Sequence, residues 1–190
     1  AVCTTSRLPA FAGRVLRELD LRGLLGSSYL VVGANALPAY AAEAGMLPSA
    51  VAAATERCDL AWSQPMLAMS APQPPNSLFA ALRRVDRTCK IDVERPARVR
   101  SGKGDVVQLY LATVLADGWS PREQIRPTRL REQYWLLQGR PVAQIVPDTD
   151  NNAARIAAPD PRWFALHRLW LSQQPTRLRS KGEMDERLGM

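Results

Sequence analysis

A single histidine, His167, is the whole supply of that side chain in these 190 residues. That excludes a multi-histidine metal centre within one chain. With no serine or cysteine nucleophile placed beside it, a hydrolase triad also finds no support. Cysteine is scarce too. Cys3, Cys58 and Cys89 stand far apart, odd in number and without a CxxC pair. They supply neither a zinc site nor a disulfide framework, and a reducing cytoplasm is the expected setting. Long hydrophobic runs are absent as well. The longest candidate, Tyr29 to Ala44, is interrupted by Gly33, Asn35 and Pro38, so no membrane span is expected. The opening Ala1-Val2-Cys3-Thr4-Thr5 lacks the charged and apolar regions of a signal peptide, and suggests a trimmed or missing upstream segment.

What the chain does have is a composition of 46% hydrophobic and 23% charged residues, ordinary for a globular domain with its own core. Its formal net charge of +7 is unevenly placed. Residues 1–75 balance five basic side chains against five acidic ones, so the whole excess falls in residues 76–190. A basic half beside a neutral half points to a polyanion: a nucleotide, a nucleic acid or a phosphorylated substrate. A solvated basic surface with no partner explains the charge equally well.

The pattern along the chain predicts an amphipathic helix over Leu8 to Leu25, stopped by Gly26, then a buried strand from Tyr29 to Val32. An Ala-rich helix over Asn35 to Ala44 follows, with Pro38 in its first turn and Gly45 at its end. Cys58 to Trp62 reads as a strand, the proline-rich 64–76 as a loop, and Asn76 or Ser77 as the cap of a helix reaching Val85. Val93 to Arg100 and Val106 to Ala112 read as strands joined by the turn Ser101-Gly102-Lys103-Gly104, which lacks the spacing of a phosphate loop. Residues 115–127 read as irregular, and Leu130 to Leu137 fits helix and strand alike. Pro141 to Val146 and Ala154 to Ala157 are expected strands around an Asp-Asn-rich turn. Asp160 with Pro161 opens a helix to Leu171, and Arg177 to Leu188 forms a last, charged one. The expected organisation is an N-terminal helix in 1–27, an α/β core in 28–158 and a helical segment in 159–190, which together make an α/β or α+β fold. Trp119, Trp135, Trp163 and Trp170 are expected as core or interface anchors, and Trp163, Leu166 and Trp170 as one helix face.

One constellation carries chemistry. A hydrophobic strand ends in Val32-Gly33-Ala34, and a second strand with Asp59 follows in Thr55-Glu56-Arg57-Cys58-Asp59-Leu60. Nucleotidyl transfer asks for two divalent cations that clamp the attacking and leaving oxygens, and for carboxylates that hold them. Acids one residue apart on a strand share a face and meet that need. A glycine followed by a small residue lets backbone approach a triphosphate.

The chain resembles a small family of bacterial nucleotidyltransferase-fold proteins. Their members read roughly LVVGTNALYAYEAAAG, ATxDxDLLW, VDLI and PDPRxFALHKLWLS. The matching residues here are Leu30 to Tyr40, Ala54 to Trp62, Leu82 to Arg87, and Ala158-Pro159-Asp160-Pro161-Arg162-Trp163-Phe164-Ala165-Leu166-His167-Arg168-Leu169-Trp170-Leu171-Ser172. The resemblance implies a nucleotidyltransferase-like fold with a small mixed sheet flanked by helices, and no particular substrate. It implies Asp59 as a catalytic, Mg²⁺-holding acid, the Gly33-Ala34 backbone as a phosphate cradle and Arg168 as a phosphate-charge candidate; Arg57, Gln108 and His167 are further candidate nucleotide-binding positions, His167 reading first as a hydrogen-bonded histidine at the core edge.

The departures are as informative. Arg57 stands where the family has its first Asp, Ala34 where it has a hydroxyl residue, and Gln108 (in Val107-Gln108-Leu109-Tyr110) where it has its third acid. Arg168 replaces a lysine, which keeps the charge and changes the geometry. Only Asp59 remains of three metal-binding acids, beside a cation that opposes two dications. Three outcomes stay open. One is a catalytically degenerate protein that binds a nucleoside triphosphate or other polyanion in a basic cleft. Another is an active Mg²⁺-dependent enzyme with replacement acids among Asp86, Asp92, Glu94 and Asp105. The third is a nucleic-acid- or protein-interaction module that uses the basic stretch Arg83 to Lys103.

Overall fold

The computed structural model describes residues 7–46, 57–63, 78–112, 124–130, 134–175 and 179–190. Helix α1 spans Ala10–Leu21 and buries Phe11, Val15, Leu16 and Leu19 on one stripe. It ends earlier than the apolar pattern predicts. Gly23 takes a φ of +65°, and Leu24 and Leu25 are buried beyond the helix rather than on it. Strand β1 (Tyr29–Val32) is buried throughout, as expected of a short apolar run. The expected helix from Asn35 is two elements: a 3₁₀ turn, Gly33–Ala36, and then α2, Leu37–Glu43, with Pro38 in its first turn.

Strand β2 (Arg57–Trp62) and helix α3 (Leu78–Val85) follow, while the loop and cap expected at 64–77 lie outside the described residues. β3 (Lys90–Ile91), β4 (Arg98–Arg100) and β5 (Val106–Ala112) complete most of the main sheet. The strand expected from Val93 to Ala97 does not form. Asp92 accepts hydrogen bonds from the backbone N–H groups of Glu94 and Arg95, and Arg98 N–H closes onto the Arg95 carbonyl at 2.7 Å. These local bonds, followed by Pro96, compete with a ladder and bend the chain. The turn at Ser101 to Gly104 forms as expected, with Gly104 N–H on the Ser101 carbonyl. β6 is Thr128–Leu130, and Tyr134–Leu137 is a 3₁₀ turn, so the described part of the ambiguous stretch is the end of a strand and a 3₁₀ turn.

In the main sheet the order is β1-β2-β5-β4-β3, with β6 also on β5. β1–β2, β5–β4 and β4–β3 are antiparallel, whereas β2–β5 and β5–β6 are parallel. β5 therefore carries two strands of opposite sense along one edge. β4 covers residues 106–108 and β6 covers 110–112. On one face, Cys58, Leu60, Val107, Leu109 and Leu111 join Leu16, Leu19 and Leu82 in a single buried core.

A separate antiparallel pair, β7 (Val142–Pro147) and β8 (Ala153–Ala158), packs on α1, α2 and β1. Its turn is held by Asp148, which accepts from the N–H groups of Asp150 and Asn152 and from Arg17. Leu8 and Thr149 bond this turn to the start of α1 through Leu8 N–H to Pro147 O and Thr149 N–H to Leu8 O. Asp160 caps α4 (Pro161–Ser172) through Arg162 N–H, and α5 (Arg179–Gly189) packs on α4. The Arg162 guanidinium and the backbone N–H groups of Arg140 and Arg162 hold the Asp160 carboxyl well below the usual range. Among the described residues no helix is long and apolar enough to cross a membrane.

Candidate functional site

The residues at issue meet in one row across four strands. Val32 of β1 pairs with Asp59 of β2, Asp59 with Gln108 of β5, and Gln108 with Arg98 of β4. Directly paired residues point to the same face, so Asp59, Gln108 and Arg98 face one another. Arg57 shares that face two residues before Asp59. The register therefore puts Gln108 beside Asp59, the place where a third acid would complete a metal site.

Gly33 turns the chain immediately above this row. Its φ is +73°, and a Cβ there would stand 2.6 Å from Asp59 Oδ2, closer than any real contact. Asn35 fastens the turn to β2, its Nδ2 donating to the Arg57 carbonyl at 2.9 Å. Ala34, half-buried, lies in the 3₁₀ turn. The helix expected from Asn35 begins at Leu37, and Gly33 opens a 3₁₀ turn, so Gly33 does not present an α-helix N-terminus.

Arg57 forks onto Asp59. Its Nη2 donates to Oδ2 at 2.8 Å, and its Nε lies 2.7 Å from Oδ1 in ion-pair contact. The second contact lacks hydrogen-bond alignment, which leaves Oδ1 a buried acceptor without a hydrogen bond. Burial raises the Asp59 carboxyl above its usual range. Arg57 opposes that rise, and Arg168 and Arg98 oppose it less. The guanidinium of Arg57 is itself held above its ordinary value by Asp59, against its own desolvation. Burial and the adjacent Asp59 push the Cys58 thiol up to about 12, which makes it inert at neutral pH.

Gln108 is buried and bonded on both sides. Arg98 Nε donates to its Oε1 at 2.5 Å, and its Nε2 donates to Thr128 Oγ1 at 3.1 Å. Arg168 is buried against Phe164, 4.8 Å above the ring, with Nη1 bonded to Asp185 at 2.7 Å. Its charge reaches Asp59 and Tyr40, but its guanidinium joins α4 to α5. His167 packs into an aromatic group, edge-on to Trp135 at 5.6 Å and stacked on Trp170 at 6.1 Å. Leu166, expected on the packed face with Trp163 and Trp170, is half-exposed instead. Trp119 lies outside the described residues.

Four contributors are not apparent from the sequence: Asn35, Asp185, Arg126 and Thr128. Asn35 sits in the Gly-Ala-Asn turn, a weak signal. The other three owe their place to pairings far along the chain.

A divalent cation pair does not fit these donors. Asp59 is the one carboxylate in the row, and Arg57 already neutralises it. Among the described residues no group of three His, Cys, Asp or Glu side chains comes together. The replacement acids are engaged elsewhere. Asp86 accepts from Thr88, Asp92 from Arg100, and Asp105 from Ser101. Glu94 lies exposed on the bend after Asp92.

A short mixed sheet flanked by helices, with a glycine turn seated over an acid on the second strand, defines a nucleotidyltransferase-like fold. The chain belongs to a nucleotidyltransferase family, whose model, described as Nucleotidyltransferase, matches residues 10–188. No curated protein and no solved structure matches it.

Proposed function

We propose that this protein has exchanged metal-dependent nucleotidyl transfer for metal-independent binding of a nucleotide or a related phosphorylated anion. The observation that carries this reading is the fork of Arg57 on Asp59. In an active transferase, dications supply positive charge at this acid and activate the attacking and leaving oxygens. A guanidinium supplies the charge alone. It has no open coordination position and no acidic water to offer, so it neutralises without catalysing. Gln108 extends the same substitution, because an amide in place of a third carboxylate removes another anionic donor and leaves a hydrogen-bonded brace between Arg98 and Thr128. The face that remains, with Gly33, Arg57, Asp59, Gln108 and Arg98, carries two guanidinium groups and one carboxylate, a balance that suits an anion arriving without dications.

Calorimetric titration of ATP, GTP, CTP and UTP tests this, with Mg²⁺ and with EDTA, on wild type and Arg57→Asp. Wild type is expected to bind with the same affinity in both buffers, and the variant only with Mg²⁺. Loss of wild-type binding on adding EDTA overturns the reading. So does Mg²⁺-dependent release of pyrophosphate from any of the four triphosphates.

A further inference from the structure

We infer that the phosphate group of a small phosphate ester is held by the arginine-lined cleft between β4 and β6, not by the Gly33 turn. This deepens the reading above and rests on it. The argument starts from Asp59. Arg57 neutralises its carboxylate and leaves no net positive charge for a phosphate approaching Gly33, where Oδ2 already fills the space a Cβ would take. Among the described residues, the cation in contact with it, Arg57, is taken up by the pair. An anion is better placed where cations stand without carboxylates.

Such a place lies one strand further on. Where the edge of β5 passes from β4 to β6, a cleft of about 380 Å³ opens, lined by Arg95, Pro96, Arg98, Gln108, Arg126 and Pro127 among others. That volume falls in the range of small-molecule pockets. Among the described residues, Arg95 and Arg126 have no side-chain partner and no carboxylate lines the cleft. Arg98 is oriented by its Nε bond to Gln108, itself braced on Thr128, so its two terminal nitrogens remain uncommitted among the described residues. Three guanidinium groups around one space suit a dianionic phosphate, whose oxygens accept paired N–H donors.

The walls are fixed. Leu109 N–H bonds the Ala97 carbonyl and Arg126 N–H the Pro96 carbonyl, both at 2.9 Å, so the arginines sit on stitched backbone. Among the described residues the lining contains no aromatic ring. That argues against a single-stranded nucleic acid, which binds by stacking its bases. The two prolines offer a flat apolar wall for the remainder of a mononucleotide-sized ester.

The experiment is calorimetry of AMP, inorganic phosphate, adenosine and a single-stranded oligonucleotide, each with EDTA and with Mg²⁺, on wild type, Arg95→Gln, Arg126→Gln, Arg57→Gln and the exposed control Arg187→Gln. Circular dichroism and Tm confirm that each variant is folded. AMP is expected to bind and adenosine not, with Arg95→Gln and Arg126→Gln each weakening AMP by about tenfold or more. Arg187→Gln, which carries the same change in net charge, is expected to stay within about twofold. If the two cleft variants bind like wild type while Arg57→Gln loses AMP, the inference falls and the metal-free reading stands. If binding needs Mg²⁺ yet the cleft variants still weaken it, the cleft stands and the metal-free reading falls. No AMP binding by wild type at millimolar concentration overturns both, and binding of an oligonucleotide without AMP overturns the cleft's assignment.

Discussion

Removing Arg57 is expected to cost more stability than removing Asp59, and the cost is expected to grow with pH. Arg57→Met leaves the Asp59 carboxylate, itself 7% exposed, without its cation. Stripping one partner from a fully buried pair costs about 3–5 kcal/mol. Here the guanidinium side chain is 44% exposed, so water already screens the pair and about 1–2 kcal/mol at pH 7.5 is the appropriate expectation. Asp59→Asn buries no charge and frees Arg57 to turn into water, so it is expected to cost under about 1 kcal/mol. The pH dependence follows from the raised Asp59 carboxyl. Its stabilising contribution is full below its ordinary value of about 3.9 and is lost as pH rises through the higher folded value. Arg57→Met raises that folded value further. The gap between wild type and variant therefore closes toward acid and opens as pH rises toward 8. Urea unfolding followed by tryptophan fluorescence from pH 4.5 to 8 measures it, and at neutral pH Tm is expected to fall by about 2–8 °C. A gap that does not change with pH refutes the reasoning, as does an Asp59→Asn variant less stable than Arg57→Met.

Gly33→Ala is expected to lose about 2–4 kcal/mol in urea unfolding, from a φ of +73° and a 2.6 Å clash with Asp59, whereas Gly45→Ala, with φ +62° and nothing within 4 Å, loses only about 1–2 kcal/mol. Asp185→Ala strands the buried Arg168 and is expected to cost about 3–5 kcal/mol, while Asp185→Leu with Arg168→Met recovers most of it; thermal unfolding of the three proteins checks the pair. Cys58 is expected to resist iodoacetamide at pH 8 in the native protein and to react at once in urea, read by mass spectrometry of its peptide.

Much of the fold is legible because its punctuation is local. Val32-Gly33 marks the end of a strand, Ser101 to Gly104 a hairpin, and Asp160-Pro161 the start of a helix. Each is decided by backbone conformation or by a capping bond a few residues long. The misread stretches fail where a local bond outcompetes the hydrophobic pattern. Asp92 bends what alternation makes a strand, and Gly23 cuts short what periodicity makes a helix. The site was half legible for a different reason. Asp59, Arg57 and Gln108 stand on two strands whose partnership is implied by the family resemblance. The place of Arg126 depends on β6 running parallel to β5, a long-range pairing that no local pattern announces. Arg168 shows the same limit: its charge was visible, but its partner Asp185 lies on another helix.

The stitch between Leu8 and Thr149 bears on how the chain is made. The first turn of α1 finds its backbone partners at Pro147 and Thr149, and its Gly13 accommodates Asp148, with whose carboxylate a Cβ would collide. A ribosome adds about 5–20 residues per second, so the helix emerges many seconds before the hairpin that receives it. Until Asn152 has left the exit tunnel, the apolar stripe of Phe11, Val15, Leu16 and Leu19 has no finished seat. A helix made well before its hairpin is thus among the last elements to be secured, and in the interval its exposed face is the natural target for a chaperone.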